Sequence, residues 1–124
     1  MATSNNDLFS IGKIEYREGS VSATININPD SEILKGHFPD HPVVPGACML
    51  QIVKEALENV LKKPLRLRKA DQLKFMSIID PTNIPEVQLE ISYKEMEDGD
   101  ISSTAKLCNP EMVYFKFQGS FVAQ

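Results

Sequence analysis

Apolar and polar residues alternate over most of the chain, and this alternation limits the possible folds more than any other feature. Apolar residues occupy every second position between Ser20 and Asn28, namely Val21, Ala23, Ile25 and Ile27. Successive side chains of a β-strand point to opposite faces, so this period predicts a strand with one buried face. Similar patterns predict strands within residues 9–16, 65–75, 87–93, 101–107 and 113–121.

One segment, from Gly46 to Lys63, breaks the period of two. Its apolar residues recur at spacings of three and four: Met49, Leu50, Val53, Ala56, Leu57, Val60 and Leu61. That spacing predicts a single amphipathic helix. Pro45 suits the start, where a backbone N–H would be unpaired anyway, and Pro64 ends the helix. Lys62 and Lys63 are expected at its negative end.

A helix with an apolar stripe must be covered, and the apolar strand faces are the only cover that this chain offers. The pattern therefore predicts the α+β class, with an antiparallel sheet of about six strands wrapped around one central helix. Hairpin turns are expected at Glu18-Gly19, at Asp98-Gly99 and at Asn109-Pro110. We expect residues 1–8 to form a flexible tail and residues 9–124 to form one domain.

Composition narrows the function classes. Of 124 residues, 42% are apolar and 24% charged, with a net charge of −4, and the mean hydropathy is −0.20. These values argue against both disorder and a membrane protein. The pI of about 5.1 is unlike that of most nucleic-acid-binding proteins. The N-terminus lacks the features of a secretory signal, so Cys48 and Cys108 are expected to be free thiols in a cytoplasmic protein.

The segment most suited to chemistry is the loop between His37 and Gly46. Pro39, Pro42 and Pro45 recur at every third position, so the loop should be stiff and extended. Gly46 lies where the first helical N–H groups are unpaired and partly positive, which suits polarisation of a carbonyl oxygen. A histidine nearby could remove a proton from the adjacent carbon. The alternative is that the imidazole only braces the loop.

Other interpretations of this segment carry less weight. His37 and His41 have the spacing of a helical zinc pair, but the prolines between them exclude a helix, so we expect no metal site. A Pro-x-x-Pro ligand for a proline-binding domain is disfavoured because Pro39 and Pro42 lie among apolar residues. Cys48 lies where a helix dipole can lower a thiol pKa, but a small buried packing residue is the simpler expectation.

The run Gly36-His37-Phe38-Pro39-x-x-Pro42-Val43-Val44-Pro45-Gly46, followed by an apolar helix, resembles the signature of hot-dog fold (3R)-hydroxyacyl-[acyl carrier protein] dehydratases. The resemblance extends from about Ser10 to Val122. It includes Lys74-Phe75 and Asp80-Pro81, which match the family's third strand and the turn after it. It implies the hot-dog fold, in which the sheet wraps around the central helix.

The resemblance also implies roles for individual residues. His37 matches the catalytic histidine, and Gly46 matches the glycine whose backbone N–H binds the thioester carbonyl. Phe38, Val44 and Pro45 are then expected to contact the substrate. In these enzymes the histidine takes the C2 proton and a carboxyl group assists loss of the C3 hydroxyl, usually across a dimer interface. The resemblance therefore implies at least a homodimer, an acyl carrier protein as partner, and no cofactor of the protein's own.

The chain departs from the family at the acid. The family has a glutamate or aspartate fourteen positions after the histidine, where this chain has Gln51. Glutamine keeps the hydrogen-bonding reach but cannot exchange a proton, and general acid assistance is worth about 10²–10⁴ in rate. His37 could return the proton itself while Gln51 orients the hydroxyl or a water, and His41 is a weaker substitute acid. Alternatively, Gln51 only begins a solvated polar stripe that continues through Lys54, Glu55, Glu58 and Lys62.

A basic segment follows the helix in this otherwise acidic chain. It contains five cations within eight residues: Lys62, Lys63, Arg66, Arg68 and Lys69. Such a patch could steer an acidic acyl carrier protein, so Lys63, Arg66 and Arg68 are candidate docking residues. An ordinary solvated strand is an equally good interpretation.

The resemblance thus implies a protein that dehydrates a 3-hydroxyacyl thioester on acyl carrier protein to the trans-2-enoyl thioester. Two alternatives stay open. A hot-dog acyl thioesterase usually uses a carboxylate or a bound water, and Gln51 is a poor general base. A non-catalytic acyl-binding module would have kept the pocket after losing the acid, and the fold alone does not decide among the three.

Overall fold

The computed structural model describes residues 8–35 and 44–124. The strands in these ranges are β1 (Phe9–Arg17), β2 (Ser20–Ile27), β3 (Leu65–Phe75), β4 (Glu86–Glu95), β5 (Ile101–Cys108) and β6 (Val113–Ala123). The helices are α1 (Glu32–Lys35) and α2 (Gly46–Leu61). Each strand expected from the alternation is present, and so is the long helix.

The strands form one antiparallel sheet in the order β1-β2-β4-β5-β6-β3. The apolar stripe of α2, with Met49, Ile52, Val53, Ala56 and Leu57 buried, belongs to the same core cluster as the inward side chains of the strands. The prediction of an α+β hot-dog fold is therefore confirmed. The order leaves β1 and β3 at the two edges of the sheet.

The end of α2 differs from the prediction. The helix ends at Leu61 rather than Lys63, because Lys62 takes a left-handed conformation with φ 60°. The Lys62 N–H still donates to the Glu58 carbonyl at 2.8 Å. The Glu58 side chain accepts the Leu65 N–H at 2.7 Å, which fixes the start of β3 against the helix. The two lysines thus follow the last helical turn instead of forming it.

The tail boundary and α1 also differ from expectation. Leu8 is fully buried, and its carbonyl accepts the Asn28 N–H at 2.7 Å, so it belongs to the fold. The rest of the expected tail, residues 1–7, lies outside the described residues. The four-residue helix α1 was not predicted, because so short a helix gives no periodic signal.

The three expected turns are confirmed. Gly19 and Gly99 have φ values of 76° and 93°, which residues with a Cβ rarely adopt. The Asn109 side-chain oxygen accepts the backbone N–H groups of Glu111 and Met112. In the described ranges, no helix has the length and apolar character needed to cross a membrane.

Candidate active site

The start of α2 presents backbone donors that have no partner among the described residues. Pro45 precedes the helix in an extended conformation (φ −62°, ψ 146°) and provides no side-chain cap. Its carbonyl accepts the N–H groups of Cys48 and Met49 at 3.0 and 3.3 Å. Within residues 8–35 and 44–124, no acceptor pairs with the N–H of Gly46 or Ala47. Among the described residues, therefore, no acceptor competes with a ligand oxygen for these two donors at the positive end of the helix dipole.

Gly46 lies directly against the ring of Phe75. A Cβ at position 46 would come within 2.7 Å of the Phe75 Cζ atom, closer than real Cβ contacts. The Phe75 ring also stacks on Phe115, with ring centroids 5.3 Å apart. The end of β3 and the start of α2 can approach this closely because residue 46 has no side chain.

An apolar cleft of about 430 Å³ opens beside this contact. Its lining includes Val44, Gly46, Met49, Phe75, Met76 and Ile78. Three of these apolar side chains are largely exposed: Phe75 at 56%, Met76 at 53% and Ile78 at 66%. A cluster of exposed apolar side chains typically marks a binding or interaction surface. The cleft therefore combines an apolar wall with the hydrogen-bond donors of the helix start.

The structure brings together Val44, Pro45 and Gly46 among the residues that the sequence assigns to substrate contacts. Val44 is buried, and its N–H donates to the Ile79 carbonyl at 3.0 Å, which fixes the described end of the loop beside the cleft. The candidate base and the remaining contact, His37 and Phe38, lie outside the described residues, as does His41. Their roles stay predictions.

Gln51 does not line this cleft. It lies five residues after Gly46 on α2, which in an ideal helix places it about 7.5 Å along the axis and about 140° around it. Its side chain is partly buried, and its Nε2 atom donates to Glu55 Oε2 at 2.8 Å. Gly46 and Gln51 of one chain therefore face in different directions.

The basic segment is less positive than its sequence indicates. The Lys63 amine lies 3.4 Å from a Glu95 carboxylate oxygen, and the Arg68 guanidinium lies 2.7 Å from Asp100. Exposed ion pairs add little stability, but each neutralises one positive charge. Of the three docking candidates, Arg66 alone has no carboxylate within 4.0 Å among the described residues.

A second basic feature was missed by the sequence analysis. Lys116 on β6 lies opposite Lys106 on β5 and opposite Lys74 on β3. We call these three residues the lysine row. Lys106 lies 3.7 Å from Glu90, whereas no described carboxylate pairs with Lys74 or Lys116. Like charges at directly opposed positions are unfavourable, and an anionic partner would relieve them.

Two members of the lysine row, Lys106 and Lys116, line a polar depression of about 660 Å³ on the sheet face away from the core. Hydroxyl and amide side chains surround it, including Gln72, Ser92, Thr104 and Gln118. The third member of the lysine row, Lys74, directly precedes Phe75 in sequence, and Phe75 lines the apolar cleft. Strand periodicity shows that these lysines are outward-facing, but the alignment depends on the pairing register, which the periodicity does not give.

Neither cysteine has the properties of a reactive thiol. Burial raises the pKa of the Cys48 thiol, in the direction opposite to the effect of the helix dipole. Burial, followed by the nearby Glu90 carboxylate, raises the pKa of Cys108. Both cysteines are free. Cys48 fits a packing residue better than a nucleophile.

Comparison with known proteins identifies the family. The ApeI-like family model, described as ApeI dehydratase, matches residues 13–116. The chain belongs to the ApeI dehydratase family. The 3-hydroxyacyl-[acyl-carrier-protein] dehydratase FabZ of Pediococcus pentosaceus is 26% identical over 107 residues, which cover 77% of this chain and 72% of that protein. FabZ of Levilactobacillus brevis is 24% identical, over 71% of this chain and 64% of that protein.

Solved structures agree on the fold. The dehydratase heterocomplex ApeI:P from Xenorhabdus doucetiae matches with a TM-score of 0.71 at 16% identity, covering 91% of this chain and 96% of the matched one. An HP0420 homologue from Helicobacter felis matches with a TM-score of 0.68 at 11% identity, covering 92% and 88%. At these identities the likeness concerns the fold alone.

Proposed function

We propose that the protein dehydrates a 3-hydroxyacyl thioester, carried on an acyl carrier protein, to the trans-2-enoyl thioester. The observation that supports this most is that the Gly46 N–H, which has no partner among the described residues, lies beside the apolar cleft at the start of α2. A thioester carbonyl needs hydrogen-bond donors and its acyl chain needs apolar cover. The family membership and the FabZ relatives support the same reaction class.

In the proposed reaction, the Gly46 N–H polarises the thioester carbonyl and His37 removes a proton from C2. The electron pair of the C2–H bond forms the C2–C3 double bond while the C3–O bond breaks. The protonated His37 returns its proton to the departing oxygen, which leaves as water. Phe38, Val44 and Pro45 contact the substrate. The proton balance is complete with His37 alone, so neither a cofactor nor a carboxyl group at position 51 is required.

The site is proposed to form in a homodimer. The edge strand β3 is 11 residues long, and a long unpaired edge favours pairing with another chain. Leu73 at the same edge is 41% exposed, and Phe75, Met76 and Ile78 are exposed still further. Since Gln51 faces away from the cleft of its own chain, a second copy is the proposed source of the Gln51 that completes each site.

The acyl carrier protein is the proposed partner. Two of the three cations expected to bind it, Lys63 and Arg68, already have carboxylate partners. The lysine row has two cations without a described carboxylate partner, and its member Lys74 precedes the cleft residue Phe75 in sequence. We therefore propose that the acidic carrier binds on the lysine row, with Arg66 as an additional contact. We place the reaction in the cytoplasm, where both cysteines would stay reduced.

The function is tested by incubating the protein with 3-hydroxyacyl thioesters on carrier protein and measuring enoyl product, free thiol and bound substrate in the same samples. Enoyl product that disappears in His37→Ala is expected. Free thiol without enoyl product would instead identify a thioesterase, and tight binding without either product would identify an acyl-binding module.

The assembly is tested in parallel by measuring the mass of the protein in solution. A homodimer with enoyl-forming activity is expected. The solved ApeI structure is a heterocomplex, so a different chain is the main competing partner. A monomer that becomes active only when such a second chain is added would contradict the homodimer.

A further inference from the structure

We infer that Glu55 is a positioning residue that fixes the orientation of the Gln51 amide, so that Gln51 offers its oxygen to the C3 hydroxyl of the substrate. The inference rests on the proposed dehydration. It concerns a second residue of the α2 polar stripe, one helical turn after the position where the related dehydratases carry an acid.

The observation that carries the inference is the 2.8 Å hydrogen bond from Gln51 Nε2 to Glu55 Oε2. The two residues are four apart on α2, the spacing at which helical side chains meet. The other glutamate of this stripe is engaged elsewhere, since Glu58 accepts the Leu65 N–H and lies 3.8 Å from the Lys54 amine. Among the described residues, Gln51 is the one side chain that pairs with Glu55.

The chemistry of the pair determines which end of the amide is free. An ionised carboxylate only accepts hydrogen bonds, so the nitrogen of Gln51 and not its oxygen must face Glu55. Gln51 Oε1 is thereby directed away from Glu55, and no donor in the described ranges pairs with it. Without this neighbour the amide could turn either way, because its two ends have nearly the same shape.

A fixed acceptor at position 51 has a direct consequence for the elimination. The C3 hydroxyl donates its own hydrogen to Gln51 Oε1. The lone pairs of the hydroxyl oxygen then stay open to the proton that returns from His37. A free amide would present its N–H groups to the same lone pairs for part of the time and compete with that proton. Glu55 thus lets a residue that cannot exchange protons orient the leaving group.

The test is a double-mutant cycle on substrate binding and turnover. Glu55→Gln keeps shape and helix propensity but lets the amide at position 51 turn. We expect a roughly two- to ten-fold lower kcat/KM and a similar loss of affinity for a 3-hydroxyacyl thioester, the scale of one hydrogen bond. Affinity for the saturated acyl thioester, which lacks the hydroxyl, should not change.

The second arm of the cycle places Glu55→Gln in a Gln51→Ala background, where no amide remains to be oriented. The substitution should then have no further effect. Glu86→Gln is the matched control, because it removes the same charge from an exposed residue of β4 that has no described ion pair.

Three results would overturn the inference. Equal losses for the hydroxylated and the saturated thioester would indicate a merely structural role, and an undiminished effect in the Gln51→Ala background would show that Glu55 acts without Gln51. If Glu55→Gln has the same turnover as the wild type, the positioning role is refuted while the proposed function stands. A wild-type protein that forms no enoyl product would refute both.

Discussion

Two faces of α2 carry different parts of the proposed site, and they are not equally complete. On one face, Gly46 and Met49 line an apolar cleft together with Phe75 of the same chain. The polar face at Gln51 and Glu55 has an internal hydrogen bond and an amide oxygen with no described partner. In the proposed mechanism, the face at Gly46 recognises the carbonyl and acyl chain within one chain, whereas the hydroxyl end depends on a second copy.

The largest effect is expected from a substitution on the apolar face of α2. Gly46→Ala places a methyl group where the Phe75 ring lies and hinders the approach of a carbonyl to the helix start. We expect kcat to fall about 10²–10³-fold, the range found when one donor to an oxyanion is lost. The double variant Gly46→Ala/Phe75→Leu gives the methyl group more room. If the double variant regains wild-type activity, the loss came from ring displacement and not from hindered access to the N–H.

The next largest effect is expected from a double substitution on the polar face of α2. Gln51→Glu combined with Glu55→Gln restores a carboxyl group at position 51 while avoiding two adjacent carboxylates. If position 51 lies at the reacting centre, general acid assistance should raise kcat by a factor approaching about 10². The measurement is enoyl formation under saturating substrate, with Glu55→Gln alone as the control. An unchanged kcat would place Gln51 outside the site.

A smaller effect is expected from changes on the outer face of the sheet, away from both faces of α2. Reversing the charge at Lys74 and Lys116 should lower kcat/KM about ten-fold for a carrier-bound substrate at low salt, because steering depends on complementary charge. A short soluble thioester should be turned over as before. Arg68→Glu, at a cation already paired with Asp100, is the matched control. A greater loss from Arg68→Glu than from the lysine variants would return the docking site to the basic segment.

The smallest effect concerns a region outside the proposed site and should alter stability alone. Burial and the Tyr16 hydroxyl raise the pKa of Tyr93 from 10.0 to about 12. Between pH 10 and 12 the unfolded chain therefore loses this proton while the folded protein retains it, so stability falls as pH rises. Tyrosinate absorbance should show one late titration that disappears in Tyr93→Phe, with dehydration at neutral pH unaffected. A Tyr93 hydroxyl that titrates at its usual pH would contradict the shift.

Periodicity predicted each strand and the long helix because both signals are local, and the proline loop resemblance identified the family. The close contact of Gly46 with Phe75 was not predictable, because it joins residues that are far apart in sequence. The lysine row was missed for the same reason, since it depends on the register of three strands. The spacing of Gln51 and Glu55 is visible in the sequence, but the orientation of the amide follows only from the hydrogen bond.

The most direct test of the central claim follows deuterium through the reverse reaction. Hydration of a trans-2-enoyl thioester in D₂O should give a 3-hydroxyacyl product with one deuterium at C2, delivered through His37. We expect His37→Ala to slow this incorporation at least about 10²-fold, while His41→Ala, in the same loop, leaves it nearly unchanged. Incorporation at the wild-type rate in His37→Ala would contradict the account.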